Sequence, residues 1–226
     1  MGIESRYLDG NYLKDNPELH REDSPWKAAH IAAILKQQDI APTSICDVGC
    51  GAGEVLAELR KHFKTERLVG YDISPQLSSF WERQKDIDFH IGDFRTQNNE
   101  KFDVLLMLDV FEHVRDPFTF LEDARRHARN FVFHIPLDLS ALTVLRTNPL
   151  MHARRKVGHL HFYTKELALE TLRECGYTVI DSRYTGAFAV GQANKLAALP
   201  RRLAYAINKD MGVRLLGGET LLVLAS

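Results

Sequence analysis

Between residues 44 and 135, five short apolar runs alternate with amphipathic segments. The runs at 44–48, 67–71, 87–91, 102–108 and 130–135 have the length of strands, and all but the short 87–91 carry little polar alternation. A strand that is apolar on both faces has to be covered on both, which happens in a parallel sheet with helices on each side. The segments 54–63, 75–84 and 117–129 supply the helices. An earlier helix, 26–38, follows Asp23-Ser24-Pro25, with the proline in its first turn and Ala28, Ile31, Ala32, Ile34 and Leu35 at helical spacing. The class expected is α/β.

The rhythm breaks after Pro136. Residues 137–163 show no clear period and hold Arg146, His152, Arg154, Arg155, Lys156, His159 and His161, so a functional lid is expected there rather than a linker. A helix resumes at 164–175, between a Thr164 cap and Gly176. A strand at 177–184, an extra helix at 192–209 interrupted by Pro200, and a last strand at 220–225 complete the chain. With 226 residues and no internal repeat, one domain is expected. Its parts are an N-terminal cap (1–40), a half that binds a cofactor (41–136), the lid, and a substrate-side half (164–226).

The sharpest motif is Asp47-Val48-Gly49-Cys50-Gly51-Ala52-Gly53, set between a strand and a helix. Glycines there let backbone approach a ligand, and the helix start offers free N–H groups. A dinucleotide fingerprint needs G-x-G-x-x-G, but Glu54 stands where its third glycine belongs, and no Gly-Lys-Ser/Thr follows to make a P-loop. Asp47 directly before the glycines would repel a phosphate and suits a ligand ammonium group.

This segment resembles the first motif of class I S-adenosylmethionine-dependent methyltransferases. The likeness continues in order through Gly70-Tyr71-Asp72-Ile73-Ser74, Gly92-Asp93-Phe94, Phe102 to Leu108 with Asp109-Val110-Phe111-Glu112-His113-Val114, and Gly158-His159-Leu160-His161-Phe162-Tyr163-Thr164. The last two are similar to small-molecule members of that family. The resemblance implies a Rossmann-like, doubly wound sheet of seven strands with the last antiparallel. It implies S-adenosylmethionine as cofactor and S-adenosylhomocysteine as product. Asp47, Gly49, Gly51 and Gly53 would meet its amino-acid part, Asp72 and Ile73 the ribose, and Asp93 and Phe94 the adenine, with Leu108 and Trp26 also in contact. Asp72 lies about 20 residues past the glycines, as a ribose-binding acid should.

His113 and His159 are the candidates for a catalytic base, because imidazole titrates near neutral pH. His113 is read as a base, a substrate contact or a satisfied helix histidine. His159 and His161 share a face if the segment is extended, and His161, Tyr163 and Arg154 are taken as substrate-binding. The basic lid points to an acidic acceptor. His152, His159 and His161 with Asp109 or Glu112 could be gathered as metal ligands, but no histidine or cysteine spacing matches a zinc motif, so no metal is expected.

Charge narrows the partners. Lys plus Arg is 29 against 30 Asp plus Glu, a net charge of -1, which disfavours a protein that grips a phosphate backbone. The place after the fourth strand reads Leu108-Asp109-Val110-Phe111 rather than the N/D-P-P-Y/F of DNA amino-group enzymes. Three widely spaced cysteines suit a reducing compartment, no apolar run is long enough to span a bilayer, and residues 1–11 do not read as a signal peptide. The expectation is a cytoplasmic enzyme with a small-molecule acceptor, no membrane partner, nucleic acid disfavoured, and room for a homodimer; the alternative is a protein or nucleic-acid methyltransferase, or a non-catalytic cofactor-binding protein of the same fold.

Overall fold

The computed structural model describes residues 5–10, 13–14, 21–186 and 199–226. Residues 192–198 of the expected extra helix, and 1–4, 11–12 and 15–20 of the expected cap, lie outside them. Seven strands form one sheet: β1 (Ser44–Val48), β2 (Arg67–Asp72), β3 (Asp88–Ile91), β4 (Phe102–Leu108), β5 (Ala128–Pro136), β6 (Val179–Tyr184) and β7 (Thr220–Ala225). Their order is β3-β2-β1-β4-β5-β7-β6. The first five are parallel, and β7 runs antiparallel to both β5 and β6. This is the doubly wound, Rossmann-like sheet with a reversed last strand.

Alternation along single strands shows how both faces are used. In β4, Leu105 and Met107 join one buried cluster, while Val104, Leu106 and Leu108 join the other. In β7 the split is Leu221 and Val223 against Leu222 and Leu224. Helices α1 (Ser24–Gln37) and α2 (Glu54–Leu59) cover one face with Ile31, Ile34, Leu35, Leu56 and Leu59. The other face is covered by α3 (Phe94–Gln97), α4 (Pro117–Ala124) and the later helix Lys165–Glu174, through Phe94, Phe120, Leu121, Leu169 and Leu172.

The segment 137–163 is mostly helical. It forms α5 (Ala141–Arg146), α6 (Asn148–His152) and a π turn at Ala153–Val157 that ends at Gly158, φ +101°. Ser140 and Thr143 close a capping box at the start of α5. Val144 and Leu145 stay exposed, which is why no buried face marks the helix in the sequence. Beyond it lie α7 (Lys165–Glu174), α8 (Leu199–Ile207) and α9 (Lys209–Leu216). Three expected helices shorten: the one expected at 54–63 closes at Leu59 as α2. Residues 75–84 form only short turns, Pro75–Leu77 and Ser78–Trp81, and α4 stops at Ala124, which lets β5 begin at Ala128. No described helix is long and apolar enough to cross a membrane.

Candidate active site

The sheet order turns around at β1. The chain winds outward through β2 and β3, then returns to place β4 on the other side, which opens a crevice at the carboxyl ends of the strands. A cavity of about 420 Å³ occupies it. Its wall includes Asp47, Gly49, Gly51, Asp72, Ile73, Asp93, Phe94, Leu108 and His113 among the residues singled out from sequence.

The glycine turn is held by backbone. The N–H groups of Gly49 and Cys50 both donate to the Tyr71 carbonyl, at 2.8 and 3.0 Å. Gly49 has φ +76°, and a Cβ there would lie 2.7 Å from Val110 Cγ2. Gly51 has φ +54°, but a Cβ there would meet nothing within 4 Å, so its bare face borders the cavity. Gly53 is different: it caps α2 with φ +80°, stands against Phe89 and lies outside the cavity wall.

Three acids line one side. Asp47, 2% exposed, has its Oδ1 without a hydrogen-bond partner among the described residues. Burial pushes its carboxyl up to about 8; Lys27 opposes this and Asp72 adds to it. Asp72 accepts the Gly51 N–H at 3.0 Å through Oδ2 and the Ser74 N–H at 2.9 Å through Oδ1. Burial still outweighs those bonds and raises its pKa. A carboxylate has about four lone-pair sites, so Asp72 keeps acceptor capacity. Asp93 caps α3 and pairs with Arg95 at 2.7 Å; burial works against its charge, but the Arg95 bonds outweigh it and lower the pKa.

Lys27, on α1, enters the floor beside Asp47. It pairs with Asp109 at 2.9 Å and Asp23 at 3.2 Å. Burial disfavours its charge, yet the two carboxylates outweigh it and raise the pKa. Asp109, φ +55°, also holds His134 Nδ1 at 2.9 Å, and burial is again overcome, so its carboxyl stays well below the usual range. Trp26, the neighbour of Lys27, lies outside the cavity wall, edge-on to His30 and His134.

At the β4 end, His113 reaches the wall and its Nδ1 pairs with the Tyr7 hydroxyl at 2.9 Å. His159 lies behind it, ring centroids 4.8 Å apart, and its Nδ1 meets Asp138 at 2.5 Å. Glu112 is fully buried beside them, and burial with Asp109 repulsion pushes its carboxyl well above the usual range. The other residues expected to bind substrate stand off the cavity. His161 donates Nε2–H to the Val114 carbonyl at 3.0 Å, Tyr163 packs edge-on to Phe111 in the core, and Arg154 bonds the Leu160 carbonyl at 3.0 Å. Asp109, Glu112, Asp138 and Tyr7 went unassigned in the sequence. For Asp109 the signal was available: it directly follows the apolar strand β4 at the crevice, with Glu112 three residues further on.

The sequence profile of the Methyltransferase domain family matches residues 20–182, most of the chain. The chain belongs to this family of class I methyltransferases. Among curated relatives of this methyltransferase, the ubiquinone biosynthesis O-methyltransferase of Maricaulis maris is 35% identical over 88 residues, covering 36% of this chain and 35% of that protein. Across the curated relatives, the matches span 18% to 46% of the relative's own length. Solved structures agree in fold. One is a chain of the Haloferax volcanii complex between the Trm112 methyltransferase activator and a methyltransferase, at TM-score 0.67 and 19% identity, covering 99% of this chain and 96% of that one. Another is magnesium protoporphyrin IX methyltransferase from Synechocystis with bound SAH, at TM-score 0.60 and 16% identity, covering 94% and 85%.

The residues of this methyltransferase fit S-adenosylmethionine. The orphaned Asp47 oxygen offers a buried acceptor for an ammonium group, and the space over Gly51 is the kind a ligand fills. Asp72 keeps lone pairs for vicinal hydroxyls, and Phe94 and Ile73 give apolar wall beside Asp93.

Proposed function

We propose that this methyltransferase moves a methyl group from S-adenosylmethionine to an oxygen or nitrogen of a small, acidic metabolite or sugar. The observation that carries this reading is one continuous cavity, bounded by Asp47, Asp72 and Asp93 on one side and by His113 on the other. The cofactor, when bound, supplies a methyl on a positively charged sulfur that is a ready leaving group. The chain's own residues then have to align the acceptor with that methyl and exclude water, and alignment alone can contribute several kcal/mol.

A hydroxyl acceptor also needs its proton removed. His113 borders the cavity, and His159 stands behind it oriented by Asp138. An imidazole taking that proton contributes typically ~10²–10⁴-fold. An amine with a free lone pair needs no base, and the histidines then position it. The cationic run Arg154, Arg155 and Lys156, outside the cavity wall but in the segment that leads into His159, is the feature behind an acidic acceptor. The reading includes a cytoplasmic setting, supported by three buried free thiols, no nucleic-acid or membrane partner, and either a monomer or a homodimer.

Calorimetry with S-adenosylmethionine and S-adenosylhomocysteine, with NAD as control, tests the cofactor. Micromolar binding of both adenosyl ligands and none of NAD is expected; absence of adenosyl binding would overturn the reading. A panel of hydroxylated and aminated acids, phosphates and sugars, read by mass gain of one methyl, then tests the acceptor. His113→Ala and His159→Ala are expected to lower turnover while cofactor affinity stays nearly unchanged. Full activity in both would remove them from the chemistry.

A further inference from the structure

Nothing in the spacing of histidines and cysteines reads as a metal motif, yet the fold gathers three ligand-type side chains at the cavity wall and directly behind it. One atom each from Glu112, His113 and His159 lies within 4.8 Å of the others. We propose that these three residues hold one divalent cation of the Zn²⁺ type at the acceptor end of the cavity.

Glu112 argues most strongly. It is 0% exposed, and neither carboxylate oxygen has a hydrogen-bond partner among the described residues. A buried acid without a donor is costly. Two imidazoles beside it provide the remaining ligands of a His₂Glu set, the composition of catalytic zinc sites that keep a fourth position open.

The surroundings have the form of a supporting shell. Asp138 meets His159 Nδ1 at 2.5 Å, which fixes the ring and leaves the Nε2 lone pair for a ligand bond. The Glu112 carbonyl accepts the N–H groups of Leu160, at 2.7 Å, and His161, at 3.1 Å, so the Glu112–His113 pair is tied to the segment carrying His159. Zinc holds nitrogen and oxygen at about 2.0–2.2 Å, which places ligand atoms roughly 3–3.5 Å apart. Small side-chain rotations from 4.8 Å close that gap. His113 is part of the cavity wall, so an ion held by these residues would adjoin the cavity.

The role of the ion rests on the methyl-transfer reading; its binding does not. A cation there would take an acceptor oxygen, best one of a chelating pair such as vicinal hydroxyls or a hydroxy acid, and lower its pKa. With the ion in place His113 and His159 act as its ligands in place of a base, and the hydroxyl proton leaves to water. The oxygen lone pair forms the new O–C bond, and the pair of the broken S–C bond stays on sulfur.

The test uses the untagged full chain, stripped with a chelator and dialysed. Zn²⁺ is titrated by calorimetry, and Co²⁺ by its visible absorption. One equivalent is expected, with a Co²⁺ spectrum of four- or five-coordinate nitrogen–oxygen type. Glu112→Gln and His159→Asn are expected to weaken Zn²⁺ at least tenfold, and Asp138→Asn by ~10–100-fold, the usual effect of removing an outer-shell partner. S-adenosylhomocysteine affinity reports whether each variant is folded, and Asp138→Asn removes no ligand, so it remains informative if the others misfold. No stoichiometric binding, thiolate bands in the Co²⁺ spectrum, or wild-type affinity in the folded variants would overturn the site. Adenosyl binding without Zn²⁺ would sink the site and leave the methyl-transfer reading standing; Zn²⁺ binding without an adenosyl ligand would do the reverse.

Discussion

Asp47 is held in a state that suits a ligand better than the empty protein. Its carboxyl is buried, one oxygen is orphaned, and its pKa rises to about 8. At pH 7 it is mostly protonated, and a ligand ammonium would drive it to ionise. Binding of S-adenosylmethionine is therefore expected to release close to one proton, read by calorimetry in buffers of different ionisation enthalpy. Asp47→Asn is expected to abolish that release and weaken binding. It should also raise Tm of the ligand-free protein at pH 7, because the amide removes the cost of protonating on folding a carboxyl that ionises near 4 in the unfolded chain. Equal proton release in wild type and variant would remove Asp47 from the ammonium site. Asp72→Ala is expected to weaken the same ligand by about 1.5–3 kcal/mol, the cost of hydrogen bonds to a charged group. Unchanged affinity would move the ribose elsewhere. Both acids could be picked out in the sequence because Asp72 ends an apolar strand and Asp47 stands just before the glycine turn that follows one. The His113–His159 contact could not, because it joins residues 46 positions apart through a turn and a π-helical segment with no pattern of their own.

The turn between β1 and α2 separates two uses of glycine. At Gly51 a Cβ would enter open space in the cavity, so Gly51→Ala is expected to cost the fold only ~1–2 kcal/mol, for the left-handed backbone. Its main effect should be a tenfold or greater loss of cofactor affinity. At Gly53 a Cβ would lie 2.4 Å from Phe89 Cζ, and Phe89 is stacked on Trp81, whose Nε1–H holds the Gly51 carbonyl. Gly53→Ala is expected to destabilise by roughly 2–4 kcal/mol, on the order of 10 °C in Tm. Thermal melts with and without S-adenosylhomocysteine separate the two; equal Tm losses would refute the distinction. Strands were readable where burial is uniform: β1, β4 and β7 fall at the residues their apolar runs mark. Helix ends were not. α4 closes five residues before its expected end, because Arg125–His127 tighten into a 3₁₀ turn that Ala128 leaves in extended backbone. The helices α5 and α6 bury no side chain fully, so periodicity carries no signal there.

Across the whole molecule, the buried carboxyls set opposing pH dependences. Asp47, Asp72 and Glu112 have raised pKa values, with burial the first cause in each. In the window between the unfolded value near 4 and about 8 for Asp47, the native state binds more protons than the unfolded chain. Stability then falls as pH rises through that window. Asp109 and Asp93 act the other way: their pKa values are lowered, so their contribution is present above about pH 4 and is lost as pH falls further. His30, lowered by burial, opposes the three raised carboxyls below about pH 6.5 as a single group. Tm of the ligand-free protein is therefore expected to rise on acidification from pH 8 to about 5, then drop below about 4. Saturation with S-adenosylhomocysteine should flatten the upper limb, because a bound ammonium keeps Asp47 ionised and cancels its share of the proton difference. Scanning calorimetry at half-unit pH steps, with and without the ligand, reads both limbs. A Tm that falls steadily from pH 8 to 5 would mean that these carboxyls are solvated in the native state, and that the crevice is more open to water than its buried acids imply.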